Sequence, residues 1–332
     1  MPKIESIRDR FDSPIKLDDY LSNQDKILII RAVGGIGDVL ISRMLFEDLK
    51  ALKPSIEVCY AVQPIFFPLV QDHPFIDRVL DCNNIKLTEW PFFRDITHKA
   101  GTYEAATMPF IDKHRTDVWA EYIGYELKNH EGHMHLDEED ITWGKAFIKP
   151  SDKPRIGISP ISAHASKDWG IEKFQKLINR IGDKAEIYIF HNSNLDLEGD
   201  NCHKLLDLTF RQWIAAVDEL DMMVTVMTAN FNIANMLHKP TIAIAGAEDL
   251  DIYGKYFPEL VPIQRHRKDG EEWEHCPCWR ASGWCAYDSV KQYPRKCIRS
   301  ITVDEVYAEV EKLISKLKGG VQLSWNGVGG KV

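Results

Sequence analysis

The sequence predicts an α/β protein of two domains, each a parallel sheet covered by helices. Three observations lead there. The 332 residues amount to two domains of ~150 residues rather than one. Early in the chain, an apolar run, a glycine cluster and an amphipathic stretch read as strand, tight turn and helix. After the polar, proline-bearing stretch Lys149–Pro154, which reads as a linker, the same alternation begins again. Composition agrees: 44% hydrophobic, 27% charged and 10% aromatic residues describe a globular chain and exclude a disordered, collagen-like or disulfide-dense one.

Lys26–Arg31 is the first strand candidate and runs into Gly34, Gly35 and Gly37. Behind them Val39, Leu40, Met44, Leu45 and Leu49 recur at helical spacing up to Lys50. A second strand, Ile56–Val62, follows Lys53-Pro54 and completes a β-α-β unit. From about 80 to 140 the pattern is irregular, with aromatic residues and with His98, His114, His130, His133 and His135 at spacings that match no metal motif. Beyond the linker, strands are predicted over Arg155–Pro160, Ala185–Phe190, Met222–Met227 and Thr241–Gly246. Helices are predicted over Ile171–Ile181, Trp213–Leu220, Phe231–Leu237 and Val303–Leu317, the last with Thr302 as N-cap and Glu305 three residues on. Residues 319–332 carry five glycines and read as a loose tail.

Charge restricts the partners. Residues 1–150 carry 18 Lys and Arg against 25 Asp and Glu, and the remainder 23 against 25, so neither half has the domain-wide positive field of a polyanion-coating protein. One local exception is 255–299, where nine basic residues are interleaved with Trp273, Trp279, Trp284, Tyr287 and Tyr293; it reads as a solvated structural region or as a ligand surface. No stretch approaches the ~20 apolar residues of a membrane helix. The first residues lack the apolar centre of a secretion signal, so a cytoplasmic protein without a transmembrane segment is expected.

Three constellations carry chemistry. Gly34-Gly35-Ile36-Gly37 is neither G-x-G-x-x-G nor a phosphate-cradling P-loop. It places Asp38 in the first turn of a helix, where the dipole favours a carboxylate that can act as a base; an N-terminal cap is the plainer reading. Ser159 to Trp169 gathers Ser162, Ser166 and Lys167 at a strand-to-helix junction, an arrangement suited to a diphosphate, against the plain alternative of a surface lysine. Cys276, Cys278, Cys285 and Cys297 bring four thiols into 22 positions, which suits a structural Zn ion or reduced buried thiols. Cys59, Cys82 and Cys202 read as core residues.

Taken together, Ile27–Val39, Pro74–Val79, the Lys167-x-Trp169 element and Ala234–Ile244 resemble glycosyltransferase family 9, the ADP-heptose:lipopolysaccharide heptosyltransferases and their relatives, over roughly residues 26–315. The resemblance implies a GT-B architecture, two Rossmann-like domains with parallel sheets facing across a cleft. Residues 1–150 would form the acceptor domain and 155–300 the nucleotide-sugar domain, with 301–318 a helix packing back toward the first domain. It also implies inverting transfer from a nucleoside diphosphate sugar, with no catalytic cofactor. Asp38 matches the proposed general base and Lys167 the lysine on the donor diphosphate, with Ser162 and Ser166 as helpers. Where the family has Asp-Thr-Gly-x-x-His, this chain reads Met227 to Asn232. Thr228, Asn230 and Asn232 are then the polar groups for the donor, and the donor sugar is left open. The implied acceptor is a lipopolysaccharide-like saccharide. Hydroxymethylated pyrimidines in DNA, or a sugar-nucleotide-binding relative without turnover, are the alternatives. The late cysteines resemble a stabilising clip.

Overall fold

Four consecutive apolar residues, Ile27–Ile30, are all buried in β1 (Lys26–Ile30), as a strand covered on both faces requires. A computed structural model describes residues 12, 13, 15–191, 193–279 and 295–318. The chain divides into two units, Met1–Glu139 and Asp140–Val332. In the first, β1 pairs in parallel with β2 (Glu57–Val62) and with β4 (Phe93–Asp95), while β3 (Arg78–Asp81) flanks β2, giving the order β3-β2-β1-β4. The strand order therefore reverses between β1 and β4, and ligands of such sheets bind outside the carboxyl ends at that point.

The predicted helix after the glycine cluster is broken into Ile36–Ile41 and Phe46–Leu52 by a tighter turn over Ser42–Leu45. A buried cation sits in that turn. Arg43 donates from Nε to Gly132 O (2.7 Å), from Nη1 to Leu69 O (2.6 Å) and Asp72 (2.9 Å), and from Nη2 to Asp72 (2.9 Å) and the carbonyl of His133. Every N–H of the guanidinium is thereby used, which is what burying that charge demands. The stretch read as irregular holds β3 and β4 and the helices Lys99–Thr107 and Arg115–Ile123.

The second unit has six parallel strands: β5 (Arg155–Ser159), β6 (Glu186–Phe190), β7 (Cys202–Leu205), β8 (Met222–Val226), β9 (Thr241–Ile244) and β10 (Leu260–Ile263). Their order, β10-β9-β8-β5-β6-β7, is the doubly wound Rossmann order, with its reversal between β5 and β8. The helix Ile171–Ile181 buries Phe174, Leu177, Ile178 and Ile181, one stripe at spacings of three and four residues. Each such side chain contributes about 1.5–3 kcal/mol of burial. Helix Val303–Lys318 adds Val306, Tyr307, Val310, Leu313 and Ile314 to the same core. Its start is fixed by the predicted capping box: Glu305 N–H donates to Thr302 Oγ1 (3.2 Å) and Thr302 N–H to Glu305 Oε2 (2.7 Å). Arg265 grips the same carboxylate at 2.6 and 2.9 Å and holds the Glu305 carboxyl down at about 2. No helix among the described residues is long and apolar enough to cross a membrane.

Candidate functional site

In the first unit the candidate groups collect at the carboxyl end of β1. Gly34 has φ +137°, so the backbone there demands glycine, and a Cβ would meet the Arg31 guanidinium. Beyond its chain neighbours, nothing among the described residues lies within 4 Å of the corresponding point at Gly35, which leaves room for a ligand to approach. Gly35 is the N-cap of Ile36–Ile41, and Gly37 lies inside that short helix. Asp38 is not the cap. Its Oδ2 pairs with Arg31 Nη2 at 2.8 Å and its Oδ1 with Arg115. Arg115 is itself gripped by Glu104, at 2.6 Å from Nε and 2.7 Å from Nη2. Two guanidinium groups thus fix the orientation of the carboxylate. Arg31 is 3% exposed, lies over the Trp119 ring at 4.9 Å, and has Nε and Nη1 buried without a partner among the described residues.

The candidate groups of the second unit lie at the carboxyl edge of its sheet. Ser159 Oγ, ending β5, is 3.2 Å from Thr228 Oγ1, which follows β8, so a hydroxyl pair bridges the point of strand reversal. Thr228 also accepts from Asn230 N–H as the cap of helix Ala229–Met236 and lies 3.1 Å from Thr225 Oγ1. Asn230 Oδ1 takes the Trp213 indole N–H at 2.6 Å. Asn232, in the same helix, is buried. Ser162 N–H donates to Asp168, and Ser162 Oγ accepts from His164 N–H; burial pushes the Asp168 carboxyl up. Ser166 is buried. Trp169 is 1% exposed and donates to Ile301 O at 2.8 Å, which anchors the loop and leaves Lys167, two residues earlier, to reach Glu248 Oε1 at 2.8 Å.

The cysteine cluster adjoins this edge. Cys276 and Cys297 are buried together with Trp273. The Cys276 thiol, hydrogen-bonded to Cys297, and then burial raise the Cys297 thiol. Cys297 Sγ also lies 3.2 Å from where a Cβ on Gly246 would stand, so the cluster packs on the loop that carries Glu248. Cys278 is half-buried, and Cys285 lies outside the described residues. Sequence spacing missed a different donor set. Asp249, Asp251 and His266 hold their ligating atoms within 4.8 Å of one another, with His266 Nε2 3.6 Å from Asp249 and Lys268 Nζ 2.8 Å from Asp251.

The basic segment is largely engaged within the unit. Arg265 holds Glu305, Arg267 donates to the carbonyls of Cys276 and Pro277, Lys268 pairs with Asp251, and Lys296 lies over the Trp273 ring. Arg280 and Lys291 lie outside the described residues.

The family model for glycosyltransferase family 9 (heptosyltransferase) matches residues 98–276, more than half of the chain. The protein belongs to glycosyltransferase family 9. Solved structures of similar fold include ADP-heptose lipopolysaccharide heptosyltransferase II of E. coli, with TM-score 0.65 at 15% identity over 88% of this chain and 99% of that one. A family 9 glycosyltransferase of Veillonella parvula gives TM-score 0.66 at 12% identity over 88% and 97%. The dodecameric, iron-containing heptosyltransferase TibC, solved with ADP-D-β-D-heptose, gives 0.66 at 13% over 89% and 78%. No curated protein sequence matches the chain. The family's α/β fold with two parallel, Rossmann-like sheets is thus the fold that the sequence predicted.

Arg31, Arg115, Glu104 and Glu248 were missed by sequence reasoning. Arg31 had a signal, a charge closing an apolar strand just before glycines, and so had Glu248, an acid two residues beyond Gly246 at a strand end. Arg115 stands 77 positions from Asp38, and no local pattern marks it.

Proposed function

We propose that this family 9 enzyme transfers a sugar from a nucleoside diphosphate donor to an acceptor hydroxyl with inversion at the anomeric carbon. The observation that carries the proposal is the carboxylate of Asp38, oriented between Arg31 and Arg115 at the end of β1. In the proposed reaction Asp38 takes the proton of the acceptor hydroxyl as its oxygen attacks the anomeric carbon. The bond from that carbon to the diphosphate breaks, and the electron pair leaves with the phosphate oxygen, whose charge Lys167 offsets. Residues 155–300 would hold the donor, with Ser162, Ser166, Thr228, Asn230 and Asn232 around it. Among these the Thr228 hydroxyl and Asn230 Oδ1 are already engaged. Residues 1–150 would take the acceptor.

A lipopolysaccharide-like saccharide is the acceptor that family membership favours. The internal engagement of Arg265, Arg267 and Lys268 weighs against a surface for DNA. Cys276, Cys278, Cys285 and Cys297 are proposed for a structural metal ion such as zinc on their sequence spacing, although among the described residues the ligating atoms that lie together are those of Asp249, Asp251 and His266. Metal analysis of protein purified without added metal should find about one ion per chain, and a metal-free, equally stable protein would remove that assignment.

The test is to incubate the enzyme with ADP-heptose, ADP-glucose, UDP-glucose and GDP-mannose, with and without core saccharides, and to measure the released nucleoside diphosphate and the anomeric configuration of the product by NMR. At least one donor should be consumed, with inversion. Binding without consumption would make the chain a sugar-nucleotide-binding relative, and neither binding nor consumption would end the transferase reading.

A further inference from the structure

Glu248 is unusual among the charged groups of the second unit. Its side chain is 7% exposed, and Oε1 receives Lys167 Nζ at 2.8 Å. The other oxygen, Oε2, is buried with no hydrogen-bond partner among the described residues. A buried carboxylate oxygen without a donor is costly, and stable proteins seldom leave one unfilled. An ionised carboxylate can only accept, so the missing partner must bring an O–H or N–H. That requirement excludes the diphosphate itself, which has only acceptor oxygens to offer and shares the sign of the charge.

Topology says where such a partner would lie. Lys167 belongs to the loop after β5 and Glu248 to the loop after β9, and β8 runs between those strands. Their ion pair therefore joins the loops on either side of the β8 carboxyl end, beside the Thr228 cap and the hydroxyl bridge to Ser159. An ammonium group has three N–H bonds, of which one faces Glu248. The pair presents donors and an acceptor side by side. A nucleoside diphosphate sugar presents the complementary neighbours, phosphate oxygens next to the hydroxyls of the attached sugar.

We infer that Glu248 is a specificity-determining residue that accepts a hydroxyl of the donor sugar through Oε2, while the lysine paired with it holds the adjacent phosphate. The inference rests on the proposed transfer from a sugar nucleotide and goes further by assigning recognition of the sugar to an acid on the β9 loop. Through it the enzyme would distinguish a sugar nucleotide from the bare nucleotide left after transfer. Loss of the sugar then returns Oε2 to its unfilled state, which favours release of the spent diphosphate.

The test is calorimetric titration of the wild type, Glu248→Gln and Glu248→Asp with ADP, UDP and GDP and with ADP-heptose, UDP-glucose and GDP-mannose. Gln keeps the volume and Asp keeps the charge but shortens the reach, so a folding failure in one leaves the other informative; thermal melts check both. Both variants should bind the sugar nucleotide at least tenfold more weakly, as expected for losing a hydrogen bond to a charged group. The bare nucleotide should bind as before, or more tightly to Glu248→Gln, where carboxylate repulsion is gone. Equal weakening toward both ligands, or no weakening, would overturn the inference and leave the transferase reading intact. A wild type that binds none of the six ligands would overturn both.

Discussion

Arg31 and Arg43 are both buried in the first unit, twelve positions apart, and they are treated oppositely. Arg43 places every N–H on a carboxylate or a carbonyl. Arg31 spends Nη2 on Asp38 and leaves Nε and Nη1 without partners among the described residues, its face on Trp119. A cation that only holds a fold is saturated, because an unmet buried charge opposes folding. A cation beside an open glycine turn, incompletely bonded, is arranged for something that is not part of the chain. In the second unit, Arg265 with Glu305 repeats the saturated pattern and Lys167 with Glu248 the unsaturated one.

Substitution should separate the two kinds of charge. Arg43→Met takes the guanidinium from Asp72, which keeps the His135 N–H, and from three carbonyls, and the expected loss is about 3–5 kcal/mol, seen as a lower midpoint in urea unfolding. A loss below about 1 kcal/mol would mean that saturation does not mark a structural charge. Arg31→Met leaves Asp38 its pair with Arg115 and should cost less than half as much stability. Turnover should nevertheless fall at least tenfold, since the carboxylate loses one of its two orienting partners. Equal stability costs in the two variants would break the comparison.

The same knot of side chains gives a pH effect. Burial first, and the nearby Arg43 next, push the His73 imidazole down to about 2, from an ordinary value near 6.5. Above pH 6.5 the folded and unfolded chains are both neutral at His73, and it contributes nothing. Below pH 6.5 the unfolded chain takes up a proton that the folded one refuses. Stability should therefore fall by up to about 1.4 kcal/mol per pH unit between pH 6.5 and 5, before the carboxylates intervene. His73→Asn keeps an acceptor for Phe75 N–H, which His73 Nδ1 meets at 3.2 Å, and should flatten that dependence. An unchanged slope would show that His73 is protonated in the folded state.

Much of this was legible before folding. The run Ile27–Ile30, the Gly34 turn, the stripe of Ile171–Ile181 and the Thr302–Glu305 box are local patterns, and each forms where spacing put it. β3 and β4 were not legible, because strands of four and three residues are shorter than the run needed to show a period. The break at Ser42–Leu45 was hidden too, since it serves the bonds of Arg43 to residues 69, 72, 132 and 133. At the site, the sequence named Asp38 and Lys167 but not what they hold. It also could not tell a cap from a ligand contact: Thr228 is a candidate for donor binding, yet its hydroxyl caps a helix and meets Ser159 and Thr225.

The central claim is that the carboxylate of Asp38 acts in transfer and not in holding the donor. Asp38→Asn keeps the shape and removes the charge. With a donor that the wild type consumes, titration should give a Kd within about twofold of wild type, while kcat falls by about 10²–10⁴. A variant that binds the donor normally and still turns over at the wild-type rate would contradict the account.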